Sequence, residues 1–160
     1  MPSTVRPDIS FNFRDARVLI VDRSQGYMDI TAEMLLGFGF NKFDRYTNIE
    51  TLKDEGPNQI HDLVLIDPAP DRDAAIAFIE ALRQRDAASG DETLVIVITG
   101  SPGAQAVAEA RDSGADYVVA KPFSPRVLLD RILWIADADP GREQPRDLDR
   151  RTVSGGNANS

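Results

Sequence analysis

The sequence contains no cysteine in its 160 residues, and this absence excludes several kinds of site. Disulfide frameworks, thiolate nucleophiles, iron–sulfur clusters and zinc ribbons all require cysteine. Long apolar runs are also missing: none, Leu94 to Ile98 included, approaches the roughly 20 residues that span a bilayer. Within residues 1–14, no apolar segment follows the charged residues, as it does in a secretory signal. We therefore expect no secretory signal, no membrane insertion and a cytoplasmic location.

Basic residues are few: 18 Lys and Arg face 26 Asp and Glu, for a formal net charge of −8. This balance argues against DNA or an anionic membrane as the main partner. Only three basic residues are lysines, which makes the position of each informative: Lys42, Lys53 and Lys121. Walker and GxGxxG phosphate loops are missing, and we expect no independent enzyme activity.

Short apolar runs without polar alternation indicate strands that are buried on both faces. Between them lie stretches in which apolar residues recur with helical spacing. Strand and helix thus alternate five times, which predicts an α/β fold with a doubly wound, five-stranded parallel sheet. The four clear strands and the weaker edge strand are Val18–Val21, Leu63–Ile66, Leu94–Ile98, Tyr117–Ala120 and Lys42–Thr47.

Composition divides the chain into three parts. We predict an N-terminal extension over residues 1–15, one folded domain over residues 16–138 and a disordered C-terminal tail over residues 139–160. The tail is rich in proline, glycine, serine and asparagine, and its arginines are offset by acids. Segments of this composition cannot bury enough apolar surface to order themselves.

Polar residues follow four of the predicted strands where each strand ends. Asp22 follows the first, Asp67 the third, Thr99 and Gly100 the fourth, and Lys121 the fifth. In an open parallel sheet, ligands bind at the carboxyl ends of the strands. We therefore expect two carboxylates, a hydroxyl and an ammonium group to converge at one edge of the sheet.

These strands and the residues after them resemble the receiver domain of bacterial two-component response regulators, the CheY-like fold. The matching segments are VLIVD (18–22), DLVLID (62–67), VIVITG (95–100) and GADYVVAKPFS (114–124), within residues 16–138. The resemblance implies the strand order 2-1-3-4-5. It also implies a single-domain regulator that receives phosphate from a histidine kinase or a histidine phosphotransfer protein and signals by contact with a downstream protein.

The resemblance also implies a role for each residue at the sheet edge. Asp67 is the phosphoacceptor, and Mg²⁺ is bound by Asp22 and Asp67. The phosphoryl oxygens are contacted by four further groups: the Thr99 hydroxyl, the Gly100 and Ala69 backbones and the Lys121 ammonium. A hydroxyl, backbone N–H groups and a lysine point charge suit an anionic phosphoryl group.

Three departures from the family pattern bear on this site. Arg23 stands where a second acid usually contacts the metal, and a cation there repels Mg²⁺. Pro68, next to the phosphoacceptor, has no backbone N–H to donate. Val118 occupies the position of the usual switch aromatic, while Tyr117 is displaced by one residue and should face the other side of the sheet.

The last predicted helix, Pro125–Ala138, offers a candidate interface. Its spacing puts Leu129 and Leu133 on the apolar face and leaves Val127, Arg131 and Trp134 on the opposite side. An exposed tryptophan often marks a contact surface, so we predict that these three residues bind a protein partner. A homodimer through the last two helices is one such partner.

Two alternatives to the phosphorylated receiver remain open. The first is a pseudo-receiver, in which Arg23 impairs the metal site and the protein binds its partner independently of phosphorylation. The second is cyclic-dinucleotide binding through the tail arginines Arg142, Arg146, Arg150 and Arg151. The single histidine, His61, has no role in any of these hypotheses and is predicted to be an exposed turn residue.

Overall fold

The computed structural model describes residues 13–55 and 59–136 and contains five strands that alternate with five helices. The strands are β1 (Arg17–Val21), β2 (Lys42–Tyr46), β3 (Leu63–Ile66), β4 (Leu94–Thr99) and β5 (Tyr117–Ala120). The helices are α1 (Gln25–Phe38), α2 (Ile49–Glu55), α3 (Arg72–Ser89), α4 (Ala104–Ser113) and α5 (Pro125–Ala136). Among these described helices, none has the length and apolar content needed to cross a membrane.

The strands form one parallel sheet in the order β2-β1-β3-β4-β5, which confirms the predicted fold class and strand order. The register brings the strand ends together. Val21 of β1 pairs with Ile66 of β3, so the residues that follow them begin side by side at the same edge. On the other side of β3, Thr99 of β4 pairs with Ala120 of β5.

The central strands are buried on both faces because helices cover each side of the sheet. On one side, α1 and α5 pack over a cluster that includes Ile20, Leu65 and Ile96. On the other side, α2, α3 and α4 pack over a cluster that includes Val64 and Val95. Because helices cover both faces of the sheet, the central strands have apolar residues on both sides and show no alternation of polar and apolar residues.

The orientation of α5 corrects the sequence prediction. The residues that pack fully into the core are Leu128 and Ile132, whereas Leu133, which was assigned to the apolar face, is 47% exposed. Arg131, predicted to lie on the partner surface, is buried, and its guanidinium carbon lies 4.8 Å from the centre of the Tyr117 ring. Long cationic side chains can bury their methylene groups while the charged group lies over an aromatic ring, and Arg131 does so with Tyr117.

The two other residues of the predicted partner surface are also partly covered. Val127 and Trp134 are half-buried and pack against the α1–α5 side of the core. Packing of α5 on the sheet sets its rotation, so the helix presents a different face to solvent than its spacing indicated. Partner binding at this helix stays a prediction, but it cannot use Arg131 as an exposed contact.

His61 is the second correction. The structure buries it, at 5% exposure, where a turn residue exposed to solvent was expected. Its Nε2 lies 2.7 Å from Oδ2 of Asp44 on the edge strand β2, and Arg17 also contacts Asp44 at 2.9 Å. Burial lowers the pKa of His61, and the hydrogen bond to Asp44 offsets only part of this effect. His61 is therefore a neutral structural residue at the end of the sheet away from the strand-end carboxylates.

The ends of the chain are only partly described. Phe13 belongs to the predicted N-terminal extension, and its ring stacks on Phe40 with centroids 4.3 Å apart. Residues 1–12 and the predicted tail, 139–160, lie outside the described residues, and so do the four tail arginines. The predicted domain boundaries therefore stay predictions.

We expect His61 to make stability depend on pH. Its folded-state pKa lies below the ordinary 6.5, so between these two values the unfolded chain binds more protons and stability falls as the pH is lowered. The slope of the unfolding free energy is limited to about 1.4 kcal/mol per pH unit for one group. Urea denaturation at pH 7.5 and pH 5.5 measures it, and His61→Gln should flatten it. Equal slopes in both proteins would contradict the assignment.

Candidate functional site

The site lies at the carboxyl edge of the sheet, where extra backbone hydrogen bonds prolong the strand ladder by one residue. The Asp67 N–H donates to the Val21 carbonyl at 2.9 Å, and the Lys121 N–H donates to the Thr99 carbonyl at 2.8 Å. Asp22 is held in the same way by the carbonyl of Tyr46 at 3.1 Å. The backbones of Asp22, Asp67 and Lys121 are thus part of the sheet, which fixes their positions relative to one another.

Lys121 joins the two carboxylates. Its Nζ lies 2.7 Å from Oδ2 of Asp22 and 2.7 Å from Oδ2 of Asp67. The three side chains are largely buried, with exposures of 14% for Lys121, 6% for Asp22 and 8% for Asp67. Two carboxylates this close would repel each other in a site with little water, and the ammonium group between them compensates both charges.

The second oxygen of each carboxylate accepts a backbone hydrogen bond. The Ser24 N–H donates to Oδ1 of Asp22 at 2.8 Å, and the Ala69 N–H donates to Oδ1 of Asp67 at 2.9 Å. In each case the aspartate side chain accepts from the backbone N–H two residues later, which closes a turn after the aspartate. With one oxygen on Lys121 and the other on a backbone amide, each carboxylate has a fixed orientation.

The charge of Lys121 is stabilised by this arrangement. Burial acts to lower the pKa of Lys121, but the hydrogen bonds and charges of Asp22 and Asp67 outweigh it, and the net pKa is raised above 10.5. The group therefore stays protonated at physiological pH. Its contribution to stability is present below pH 10.5 and is lost only as the pH rises through the folded-state value.

The remaining predicted site residues line the same cleft, which has a volume of about 700 Å³. Thr99 is buried, and its Oγ1 accepts a hydrogen bond from the Ser101 N–H at 3.0 Å. Gly100 and Ala69 also line the cleft. The structure thus brings together all six residues predicted at the strand ends: Asp22, Asp67, Ala69, Thr99, Gly100 and Lys121.

One residue of the site was missed by sequence reasoning. Tyr27 of α1 places its ring over Lys121, with Nζ 4.1 Å from the ring centre. A tyrosine in the first turn of a helix carries no local signal for this role, because the contact depends on where α1 sits relative to β5. The one indication in the sequence is that α1, which carries Tyr27, begins three residues after Asp22.

Arg23 decides how well the site suits Mg²⁺. Its side chain is exposed and lines the cleft, and no ion pair joins it to another described residue. Within residues 13–55 and 59–136, no group of three or more His, Asp or Glu side chains is placed to hold a metal ion. Two carboxylates, both already engaged by Lys121, and a neighbouring guanidinium do not fit a preformed Mg²⁺ site.

The two residues that depart from the family pattern on β5 lie on opposite faces of the sheet. Val118 packs in the α2–α4 cluster, to which Ala110 of α4 also belongs. Tyr117 packs in the α1–α5 cluster and meets Arg131. Strand alternation was therefore predicted correctly, and no aromatic side chain of β5 faces α4.

Comparison with known proteins assigns the family. The model of the response regulator receiver domain matches residues 18–133. This chain therefore belongs to the response regulator receiver domain family, and its fold is that of a module of two-component signal transduction. No curated protein matches its sequence significantly.

Solved receiver structures share the fold. A CheY-like receiver domain protein from Methanospirillum hungatei has 26% identity and a TM-score of 0.63, over 76% of this chain and 94% of that chain. A signal receiver domain from Clostridium thermocellum has 20% identity and a TM-score of 0.68, over 78% and 99%. A CheX–CheY complex with BeF₃ and Mg²⁺ from Borrelia burgdorferi has 23% identity and a TM-score of 0.61, over 75% and 88%.

We expect Arg23 to weaken Mg²⁺ binding. Arg23→Asp removes a positive charge beside the acids and adds a carboxylate, so Mg²⁺ affinity should rise by at least about tenfold. Titration with MgCl₂, followed by the amide chemical shifts of residues 22–24, 67 and 69, measures the affinity in both proteins.

The matched control is Arg126→Asp, which makes the same charge change at an exposed position of α5. It should leave the Mg²⁺ affinity at the wild-type value. Equal affinity in wild type and Arg23→Asp would show that residue 23 does not govern the metal.

Proposed function

We propose that this chain is a phosphorylatable receiver in which Asp67 accepts a phosphoryl group from a histidine kinase or a histidine phosphotransfer protein. The observation that carries the proposal is the ammonium of Lys121, held at 2.7 Å from Asp67 and facing a cleft that also contains Thr99 and Gly100. A carboxylate held beside an ammonium, a hydroxyl and backbone amides suits a nucleophile that must carry an anionic group.

The transfer step balances within these groups. A carboxylate oxygen of Asp67 attacks the phosphorus of a phosphohistidine, a P–O bond forms and the P–N bond breaks. The leaving imidazole keeps the electron pair and takes up a proton as the donor is restored. Oδ1, held by the Ala69 N–H, and Oδ2, held by Lys121, both have restricted orientation, which favours attack along one direction.

The product is an acyl phosphate that carries a charge of about −1.5 to −2 in place of the −1 of the carboxylate, so the negative charge in the cleft increases by about 0.5 to 1. In this proposal Lys121 shifts part of its interaction from Asp67 to a phosphoryl oxygen. The Thr99 hydroxyl and the Gly100 and Ala69 N–H groups supply further donors. Pro68 has none, so the loop after Asp67 offers its first backbone donor at Ala69.

The output of this receiver is proposed to be contact with a downstream protein in the cytoplasm. The formal charge of −8 disfavours DNA as the direct target. On α5, the surface open to a partner centres on Leu133 and the accessible parts of Val127 and Trp134, since Arg131 is buried. A homodimer through α4 and α5 is one form that this contact can take.

A second candidate function follows from Arg23. Its guanidinium lines the cleft, where it favours an anion over a divalent cation. A receiver in which Asp67 is never phosphorylated would act as a constitutive binding module of the same fold. This pseudo-receiver and the phosphorylated receiver make opposite predictions about the chemistry of Asp67.

Phosphorylation is tested by intact mass after incubation with acetyl phosphate, with and without Mg²⁺. We expect wild type to gain one phosphoryl group, which hydroxylamine removes because it is an acyl phosphate. Asp67→Asn should reduce the labelled fraction by at least about 100-fold, since an amide oxygen is a poor nucleophile.

The matched control is Asp112→Asn, which changes an exposed acid on α4 and should be labelled as wild type is. Labelling that persists in Asp67→Asn would assign the phosphoacceptor elsewhere. A wild-type protein that acquires no label from acetyl phosphate, phosphoramidate or a phosphorylated histidine phosphotransfer domain would favour the pseudo-receiver.

A further inference from the structure

We propose that Tyr27 is a positioning residue that holds the Lys121 ammonium group between Asp22 and Asp67. The consequence for phosphoryl transfer rests on the proposed function, whereas the placement of Lys121 itself does not. Tyr27 lies in the first turn of α1 and Lys121 directly follows β5, so two elements far apart in sequence meet at one contact.

The backbone of Tyr27 is fixed where α1 begins. Ser24 is the N-cap residue, and its hydroxyl accepts a hydrogen bond from the Tyr27 N–H at 3.1 Å. The Ser24 N–H in turn donates to Oδ1 of Asp22. One short segment therefore orients both the carboxylate that binds Lys121 and the ring that covers it.

The side chain of Tyr27 is fixed at its other end by the loop between β5 and α5. Its ring contacts that of Phe123, with ring centroids 5.7 Å apart and an angle of 52° between the ring planes. Phe123 is two residues beyond Lys121. Tyr27 thus bridges from α1 to the loop that carries the lysine.

The ring completes the surroundings of the ammonium group. Two of the three N–H donors of Lys121 are directed at carboxylates, and Nζ lies 4.1 Å from the centre of the ring. A cation over an aromatic face is stabilised by the ring quadrupole, most of all where water is excluded. The ring also limits the access of water to both short ion pairs, which keeps them strong.

This contact bears on phosphoryl transfer, because the proposed function requires the Lys121 ammonium group to shift toward a phosphoryl oxygen. When Asp67 carries a phosphoryl group, the ammonium shares its charge between a carboxylate and a phosphoryl oxygen. On β5, Tyr117 packs against Arg131, and Val118 on the other side of the sheet is not aromatic. The ring that contacts the Lys121 ammonium is that of Tyr27, so a shift of Lys121 changes this contact.

The test uses the scarcity of lysine. Protein labelled with ¹⁵N only at lysine contains three ammonium groups, and those of Lys42 and Lys53 are exposed and exchange rapidly with water. Lys121 should give an observable ¹H–¹⁵N ammonium signal because it is shielded and doubly bonded. In Tyr27→Leu, its exchange with water should accelerate by at least about tenfold.

The conservative variant separates positioning from simple packing. Tyr27→Phe keeps the ring and loses only the hydroxyl group, so it should retain the slow exchange of wild type to within about threefold. The matched control is Phe78→Leu, which removes a half-buried aromatic ring from α3 on the other side of the sheet and should not change the Lys121 signal. Should Tyr27→Leu fail to fold, Tyr27→Gln provides a second variant without the ring.

Slow exchange that persists in a folded variant without the ring would overturn the proposal. Labelling with acetyl phosphate is measured separately on the same proteins, and Tyr27→Leu should form the acyl phosphate about three- to tenfold more slowly than Tyr27→Phe. Absence of label in wild type would refute the proposed function alone, because the ammonium signal reports on Lys121 without any phosphorylation.

Discussion

The salt bridge of Lys121 with two aspartates is the interaction on which the rest of the site depends. Asp22 and Asp67 end neighbouring strands, so the sheet itself brings two negative charges together. Lys121 reaches them from β5, beyond the intervening strand β4. Its two bonds of 2.7 Å compensate charges that would otherwise destabilise the buried edge of the sheet. The charges that prepare this edge for a phosphoryl group therefore also hold it together.

The charge balance of the cleft depends on Arg23, the residue that follows Asp22. The charged residues that line the cleft are four acids and three bases, which give a formal sum of −1: Asp22, Asp67, Asp71, Asp73, Arg23, Arg72 and Lys121. Because Arg23 offsets one of the acids, the cleft attracts Mg²⁺ less than it would without this arginine, and it accepts an anionic group at lower electrostatic cost. A single residue after Asp22 thus changes which ion the cleft favours.

Much of the fold could be predicted from sequence because buried strands have a local signature. Apart from Arg17 at the start of β1 and Thr99 at the end of β4, the strands β1, β3, β4 and β5 contain only apolar residues. Their alternation with helices along the chain specifies a parallel sheet. Once the sheet is parallel, residues after its strands must converge. That geometric necessity is why the sequence alone groups Asp22, Asp67, Thr99 and Lys121.

The contacts between elements could not be predicted in this way. The rotation of α5, the burial of His61 against Asp44 and the position of the Tyr27 ring over Lys121 all depend on how one element packs against another. The sequence by itself determined the strands, their parallel arrangement and the residues at their ends, because apolar runs and the alternation of strand with helix can be read along the chain. Only the tertiary structure decided which helix faces are covered and which side chain shields the lysine, since these follow from packing between residues distant in sequence.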